Sequence, residues 1–189
     1  MRRFEGHQPP PRDAWFAVVC ARFNAPLTDR LLDGCLARFA KAGVEAERID
    51  VAMVPGAFEI PTVARQLALS GRYRAVVCLG AVVRGATPHF DFVAGECARG
   101  IAAIGLETGV PTIFGVITTD TWAQAEERAL PGLDANKGAD AAEAALQTSA
   151  VLAEIAAGKG QASRRTRAAK PGTKPGAKPA SPPPRKSAP

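Results

Sequence analysis

Of the two histidines among 189 residues, only His89 follows a segment whose spacing suits chemistry; His7 lies in a ragged start. His89 ends the run Gly80-Ala81-Val82-Val83-Arg84-Gly85-Ala86-Thr87-Pro88-His89, in which Thr87-Pro88 reads as a helix start, with Thr as N-cap and Pro at the first helical position. Backbone N–H groups at such a terminus are free to bind an anion, which makes the loop before His89 a candidate phosphate site. The positive end of a helix favours the proton-accepting form of a nearby imidazole, the form a general base needs. A first-turn histidine with a purely structural hydrogen bond is the other reading of His89. Arg84 and Arg128 are candidate counter-charges, and Lys137, between Asn136 and Gly138, opens the last helix where it could meet a phosphate; a solvated surface position is the alternative for each.

Other segments narrow the chemistry. Gly80 and Gly85 have the spacing of a P-loop, but Ala86 stands where that motif needs its lysine, which argues against triphosphate hydrolysis. Arg22-Phe23-Asn24 contains no glycine, so the first strand is not followed by a dinucleotide fingerprint. Phe23 could stack on a flat ring or cap the sheet as a core aromatic. Glu59, in Gly56-Ala57-Phe58-Glu59-Ile60-Pro61, could contact substrate hydroxyls, but capping of the helix starting near Ile60 is the reading favoured by its place. The four cysteines, Cys20, Cys35, Cys78 and Cys97, form no C-x-x-C pair and read as buried free thiols rather than a metal or redox site.

The elements that must position these residues alternate along the chain. Strand-like runs occupy 15–21, 49–54, 75–80 and 112–118, and helical patterns occupy 26–42, 60–70, 89–108, 121–129 and 138–157. Continuous apolar runs such as Ala75-Val76-Val77-Cys78-Leu79 suit strands covered on both faces. The pattern predicts an α/β three-layer sandwich around a four-stranded parallel sheet. Ligands of such sheets bind beyond the carboxyl ends of the strands, where all the segments singled out above fall. A sheet this small has edges to protect, which assembly with other subunits would do.

The formal net charge of +6 belongs to the end of the chain. Residues 159–189 hold nine Lys or Arg and no acid, leaving fifteen basic against eighteen acidic residues before them, a balance of −3. That tail, built of Pro, Ala, Lys, Gly and Ser, cannot bury enough surface to offset its ordering entropy and is expected to be disordered. It reads as a solubilising extension rather than a nucleic-acid contact. Residues 1–13 are expected to be a flexible extension, leaving 14–158 as the single catalytic domain. No apolar run reaches the length of about eighteen residues that a membrane span needs, and no signal peptide is recognisable, which points to the cytoplasm.

Taken in order, Arg22-Phe23-Asn24, Val54-Pro55-Gly56-Ala57-Phe58-Glu59-Ile60-Pro61, Leu79 through Asp91 and Gly115-Val116-Ile117-Thr118-Thr119 resemble the lumazine synthases. The resemblance runs from about residue 15 to 155 and implies a flavodoxin-like fold. It implies condensation of 5-amino-6-ribitylamino-uracil with 3,4-dihydroxy-2-butanone 4-phosphate, through an imine, loss of phosphate and ring closure, with no cofactor and no metal. It places Phe23 on the pyrimidine, Ala57, Phe58 and Glu59 at the ring edge and ribityl chain, and Ala81, Val82 and Val83 against the ring. It gives the phosphate to Gly85, Ala86 and Thr87, with Arg128 as counter-charge, and proton transfer to His89. It also implies a homo-pentamer or a multiple of one, with Phe114, Arg128 and Lys137 supplied by the neighbouring subunit, and association with riboflavin synthase. A lumazine- or flavin-binding homologue without turnover and a shell subunit with a vestigial site are the rival readings; the intact Phe23, Arg84, Thr87, His89 and Arg128 argue against the second.

Overall fold

The computed structural model describes residues 3–167, with side chains through 158. Four strands, β1 (Phe16–Ala21), β2 (Ile49–Val54), β3 (Ala75–Val83) and β4 (Thr112–Thr119), form one all-parallel sheet in the order β2-β1-β3-β4. Five α-helices accompany them among the described residues: α1 (Ala25–Lys41), α2 (Ile60–Leu69), α3 (His89–Thr108), α4 (Trp122–Arg128) and α5 (Lys137–Arg167). No helix among the described residues is long and apolar enough to cross a membrane. The chain divides after Ala156, and the architecture below is that of the part before the division.

The three layers follow from the period of two along each strand. In β1, Phe16, Val18 and Cys20 face one way and meet Leu27, Leu31, Cys35 and Phe39 of α1 together with Ala141, Ala142 and Ala145 of α5. Ala17, Val19 and Ala21 face the other way and meet Ile60, Ala64 and Ala68 of α2 and Cys97, Ile101 and Ile104 of α3. Both faces of the sheet are therefore covered, as its uninterrupted apolar runs require. The α1 residues recur at helical spacing, and Phe39 at the far end of the stripe packs on Phe16 with ring centroids 4.9 Å apart.

At the junction of α1 with the start of α5 the two helices are in close contact. Asn136, buried, accepts hydrogen bonds from the Gly138 and Ala139 amides at 2.9 and 3.2 Å and so caps α5. Its side-chain amide donates to the carbonyls of Arg30 and Leu130, both at 2.9 Å. A methyl group on Gly34 would overlap the Asn136 amide, and one on Gly138 would overlap the Leu31 carbonyl, so both positions must be glycine for the helices to meet.

Several boundaries differ from the sequence reading. β3 runs on to Val83, so Ala81, Val82 and Val83 lie on the strand rather than in a loop. Its length is fixed by pairing with the whole of β4, from Val76↔Thr112 to Val83↔Thr119. A methyl on Gly80 would lie 3.3 Å from both Ile60 and Val116; this glycine serves close packing within the sheet layers, not a phosphate cradle. Part of the segment expected to be flexible lies on α5: the Glu5 amide donates to Glu154 at 3.1 Å, and Gly6 is buried against Gln147 and Val151. Of the basic tail, 168–189 lies outside the described residues, and 159–167 continues the backbone of α5.

Candidate active site

The strand order leaves β1 and β3 adjacent while the chain leaves them in opposite directions, to β2 on one side and β4 on the other. Such a switch point opens a crevice at the strand tips, and the loop after β1 is built to stay there. The Arg22 amide donates to the Val54 carbonyl at 2.8 Å and the Phe23 amide to Pro55 at 3.0 Å, which extends the pairing with β2 beyond the strand. Asn24 then turns into α1 with φ 62°, a left-handed conformation that asparagine tolerates. Its side chain donates to the Ala81 carbonyl at 2.9 Å, spanning the crevice from β1 to β3. Phe23 is thus held on both sides with its ring out: the residue is 68% exposed, which rules out the core-aromatic reading.

After β2, a short turn over Ala57–Glu59 leads into α2, with Ala57 buried and Phe58 and Glu59 facing out. The expected cap is absent: Glu59 precedes α2 without a side-chain hydrogen bond to it. Its carboxylate instead folds toward Gly56, where an added methyl would come within 3.2 Å of Oε2. Pro61 at the first helical turn needs no amide partner, which removes part of the demand for a cap. Glu59 is left available to the crevice.

After β3, the helix start also differs from the expectation. α3 begins at His89 with Pro88, not Thr87, as the flanking residue, and no side chain caps it. Proline's fixed φ sets the helical turn from one position earlier, where Pro88 has φ −65° and ψ −1°. Thr87 and His89 are both exposed, and no side chain takes up the first-turn amides, of which that of Asp91 donates to the Pro88 carbonyl at 3.0 Å. Arg84 is committed to carboxylates of its own chain: Nε donates to Asp120 at 2.8 Å and Nη1 to Asp91 at 3.1 Å.

These loops enclose a cavity of about 610 Å³, a size usual for small-molecule sites, lined by Phe23, Ala57, Phe58, Glu59, Ala81, Val82, Val83, Gly85, Thr87 and His89. Ala86, between two lining residues, is exposed and does not line it. Four lining residues escaped the sequence reading, namely Gly56, Phe90, Phe92 and Val93. A helical signal for two of them was present, because positions 92 and 93 follow His89 at i+3 and i+4 and share its face. Phe92 is 68% and Phe58 57% exposed, so with Phe23 three rings stand open to solvent around one histidine and one carboxylate.

Phe114, Arg128 and Lys137 are not brought to this cavity. They line a separate cleft of about 410 Å³ along β4, the sheet edge, together with Thr118, Asp140 and Ala144. Lys137 is paired with Asp140 at 2.7 Å, and Arg128 donates to the Gln124 carbonyl at 2.7 Å with the Glu127 carboxylate 4.0 Å away. All four cysteines are free and buried, and burial pushes their thiols up, Cys20 and Cys97 to about 11 and Cys35 to about 12. Such thiols are poor nucleophiles. Among the described residues no group of three or more His, Cys, Asp or Glu is placed to hold a metal ion.

An aromatic-lined crevice at a parallel sheet's switch point, with a histidine at a helix start, is the geometry the motif resemblance implies, and comparison with known proteins bears on the same segments. The family model described as 6,7-dimethyl-8-ribityllumazine synthase matches residues 13–153. A 6,7-dimethyl-8-ribityllumazine synthase of Synechocystis is 50% identical over 161 residues, covering 82% of this chain and 97% of that protein. That of Gloeobacter violaceus is 50% identical over 159 residues, covering 82% and 87%, and that of Synechococcus elongatus 46% identical over 170 residues, covering 88% and 93%. The match takes in every strand tip and both clefts, and the chain belongs to the 6,7-dimethyl-8-ribityllumazine synthase family.

Proposed function

We propose that the crevice is half of an active site that condenses 5-amino-6-(D-ribitylamino)uracil with 3,4-dihydroxy-2-butanone 4-phosphate, giving 6,7-dimethyl-8-ribityllumazine, phosphate and water. The observation that carries this reading is that one cavity gathers exposed aromatic rings, a carboxylate, a bare glycine and a histidine at the β1/β3 switch point. The pyrimidine stacks on Phe23 and rests on Val82 and Val83, with Ala81 beneath. Phe58 and Ala57 border the ring edge, and the Glu59 carboxylate accepts hydrogen bonds from the ribityl hydroxyls. With no helix amide to accept from, both of its oxygens are open to those hydroxyls.

The phosphate of the second substrate sits at Gly85, Ala86 and Thr87, facing the first-turn amides of α3. A methyl on Gly85 would meet nothing within 4 Å, and its φ is not one that demands glycine, so the chain itself has no use for the missing side chain. Close approach of an anion to the backbone gives it one. The amino group of the pyrimidine attacks the ketone and water leaves to form an imine. Removal of a proton from the adjacent carbon expels phosphate and leaves an enol, which takes a proton at its terminal carbon to become a ketone; the ribityl-bearing nitrogen then attacks that carbonyl and closes the ring with loss of a second water. His89, beside the phosphate site, takes and returns these protons. Holding two reactants in one apolar crevice supplies much of the acceleration, and no cofactor or metal enters the scheme.

The same proposal makes the β4 cleft of a second copy the other half of the site, bringing Phe114 over the ring and Arg128 to the phosphate. Its support is that these residues share a cleft apart from the crevice, on an open sheet edge, while three rings of the crevice lack cover. Lys137 joins them only by exchanging Asp140 for phosphate, and is the weaker cation of the two. Family resemblance supports a homo-pentamer or a multiple of it, a cytoplasmic setting and association with riboflavin synthase. Purified protein mixed with both substrates should yield lumazine fluorescence and free phosphate in step. Neither signal above the uncatalysed background overturns the enzyme reading, and an active monomer in sedimentation overturns the shared site.

A further inference from the structure

Arg84 does not line the crevice but packs on one residue that does. Its guanidinium carbon is 4.1 Å from the centroid of the Phe90 ring, and Phe90 is a lining residue. Nε donates to Asp120 Oδ1 at 2.8 Å, at the end of β4, and Nη1 to both Asp91 oxygens at 3.1 and 3.3 Å, in the first turn of α3. The Arg84 backbone amide donates to the Thr119 carbonyl at 2.9 Å. One residue thus joins the end of β3, the end of β4 and the start of α3. The segment 85–88 is strung between the two ends of this link, from Arg84 itself to Asp91, and all of it is exposed.

We propose that Arg84 is a positioning residue, which closes segment 85–88 into a short ring and so fixes Gly85, Thr87 and His89 before substrate arrives, without touching substrate itself. The inference rests on the reading of the crevice given above. Closing a short loop removes conformations that substrate binding would otherwise have to freeze out. The planar guanidinium is what makes the link: it presents separate N–H edges to two carboxylates while its face covers Phe90. A lysine ammonium keeps the charge but has no plane and no fork. Ion pairs as exposed as these contribute little to global stability, so their consequence is local.

The test compares Arg84→Ala, Arg84→Lys, Asp120→Asn and the double variant Arg84→Ala/Asp120→Asn in the full assembled protein. Two readouts are needed, steady-state kinetics with each substrate varied and hydrogen exchange of amides 85–91. Arg84→Ala should raise KM for the butanone phosphate about tenfold, leave KM for the pyrimidine within about twofold, and speed exchange at 85–91 about tenfold with the core of β3 unchanged. Asp120→Asn should cause a smaller loss, about threefold, and the double variant should be no worse than Arg84→Ala, because the shared bond is already gone. Arg84→Lys should recover less than half of the loss. Parental exchange at 85–91 in Arg84→Ala, full rescue by lysine, or multiplying losses in the double variant would each overturn the proposal. If Arg84→Ala does not assemble, Arg84→Lys and Asp120→Asn carry the same comparison. A parent protein without turnover sinks the enzyme reading alone, since exchange still judges the role of Arg84.

Discussion

Two helix starts in this chain have been solved in opposite ways. At α5 the N-terminus is closed: buried Asn136 satisfies its first amides, α1 lies against it, and Gly34 and Gly138 have no room for a methyl group. At α3 the N-terminus is open: no side chain caps it, the preceding segment is exposed, and Gly85 has empty space beside it. A helix end left unsatisfied by its own chain lowers stability, and the chain shows at α5 that it can build a cap. The difference separates glycines required by packing from one required by what is bound, and polar residues that hold the fold from those that face a ligand.

The largest effect expected of that contrast is at Gly138. Gly138→Ala drives a methyl into the Leu31 carbonyl, and backbone cannot rotate away, so α1 and α5 must separate. Loss of more than about 4 kcal/mol, or failure to fold, is expected in chemical denaturation; a melting midpoint within a few degrees of the parent would mean the junction is not close-packed. Next is His89→Ala. The residue is exposed, so melting should not change, while kcat falls about 10²–10⁴-fold. Equal loss of stability and activity at His89 would erase the distinction between the two helix starts.

How far this contrast could be read from the sequence depends on where its causes lie. Strand and helix order, the parallel sheet and the period of two in Phe16 through Ala21 are local, and the residues that face the crevice follow strands whose tips must lie together. The end of β3 was not local: Val83 is strand because Thr119 lies beside it, some thirty-six positions on. Glu59 reads as a cap because acids favour helix starts, and Thr87 because threonine before proline does; in both places proline alone sets the helical turn. Asn136, where a cap is made, carries a signal no stronger than theirs, and the approach of Arg30, Leu31 and Gly34 from α1 marks it. The crevice was legible as a set of residues, whereas its division from the β4 cleft came only with the motif resemblance, since sequence spacing alone gives no side of the sheet edge to Arg128.

Gly85→Ala sharpens the comparison, being the same substitution as at Gly138 in an open place. Nothing in the chain opposes the methyl, so melting should be unchanged. The phosphate should be kept from the backbone, raising KM for the butanone phosphate about tenfold, the equivalent of roughly one hydrogen bond to a charged group. An unaltered KM would leave Gly85 without a role in either fold or site.

The smallest effect, counted per group, is alkaline and belongs to the fold alone. Burial, with Asp29 adding to it at Cys20, raises the thiols from an ordinary 9.0 to about 11 at Cys20 and Cys97 and about 12 at Cys35, and raises Cys78 as well. The native chain therefore keeps its protons where the unfolded chain ionises. Stability from this source is whole below about pH 9 and is lost as pH climbs toward the folded values, by about 0.4 kcal/mol per thiol at pH 9 and more above it. Cys20 and Cys35 lie in the core on the α1 side and Cys78 and Cys97 in that on the α3 side, so the two faces of the sheet weaken together. None of the four lines the crevice. Activity lost between pH 9 and 11 through this source should therefore track the folded fraction, and Cys35→Ala should flatten the slope of stability against pH while leaving kcat at pH 7.5 unchanged. A steeper fall of stability in Cys35→Ala than in the parent would show that something other than buried thiols sets the alkaline limit.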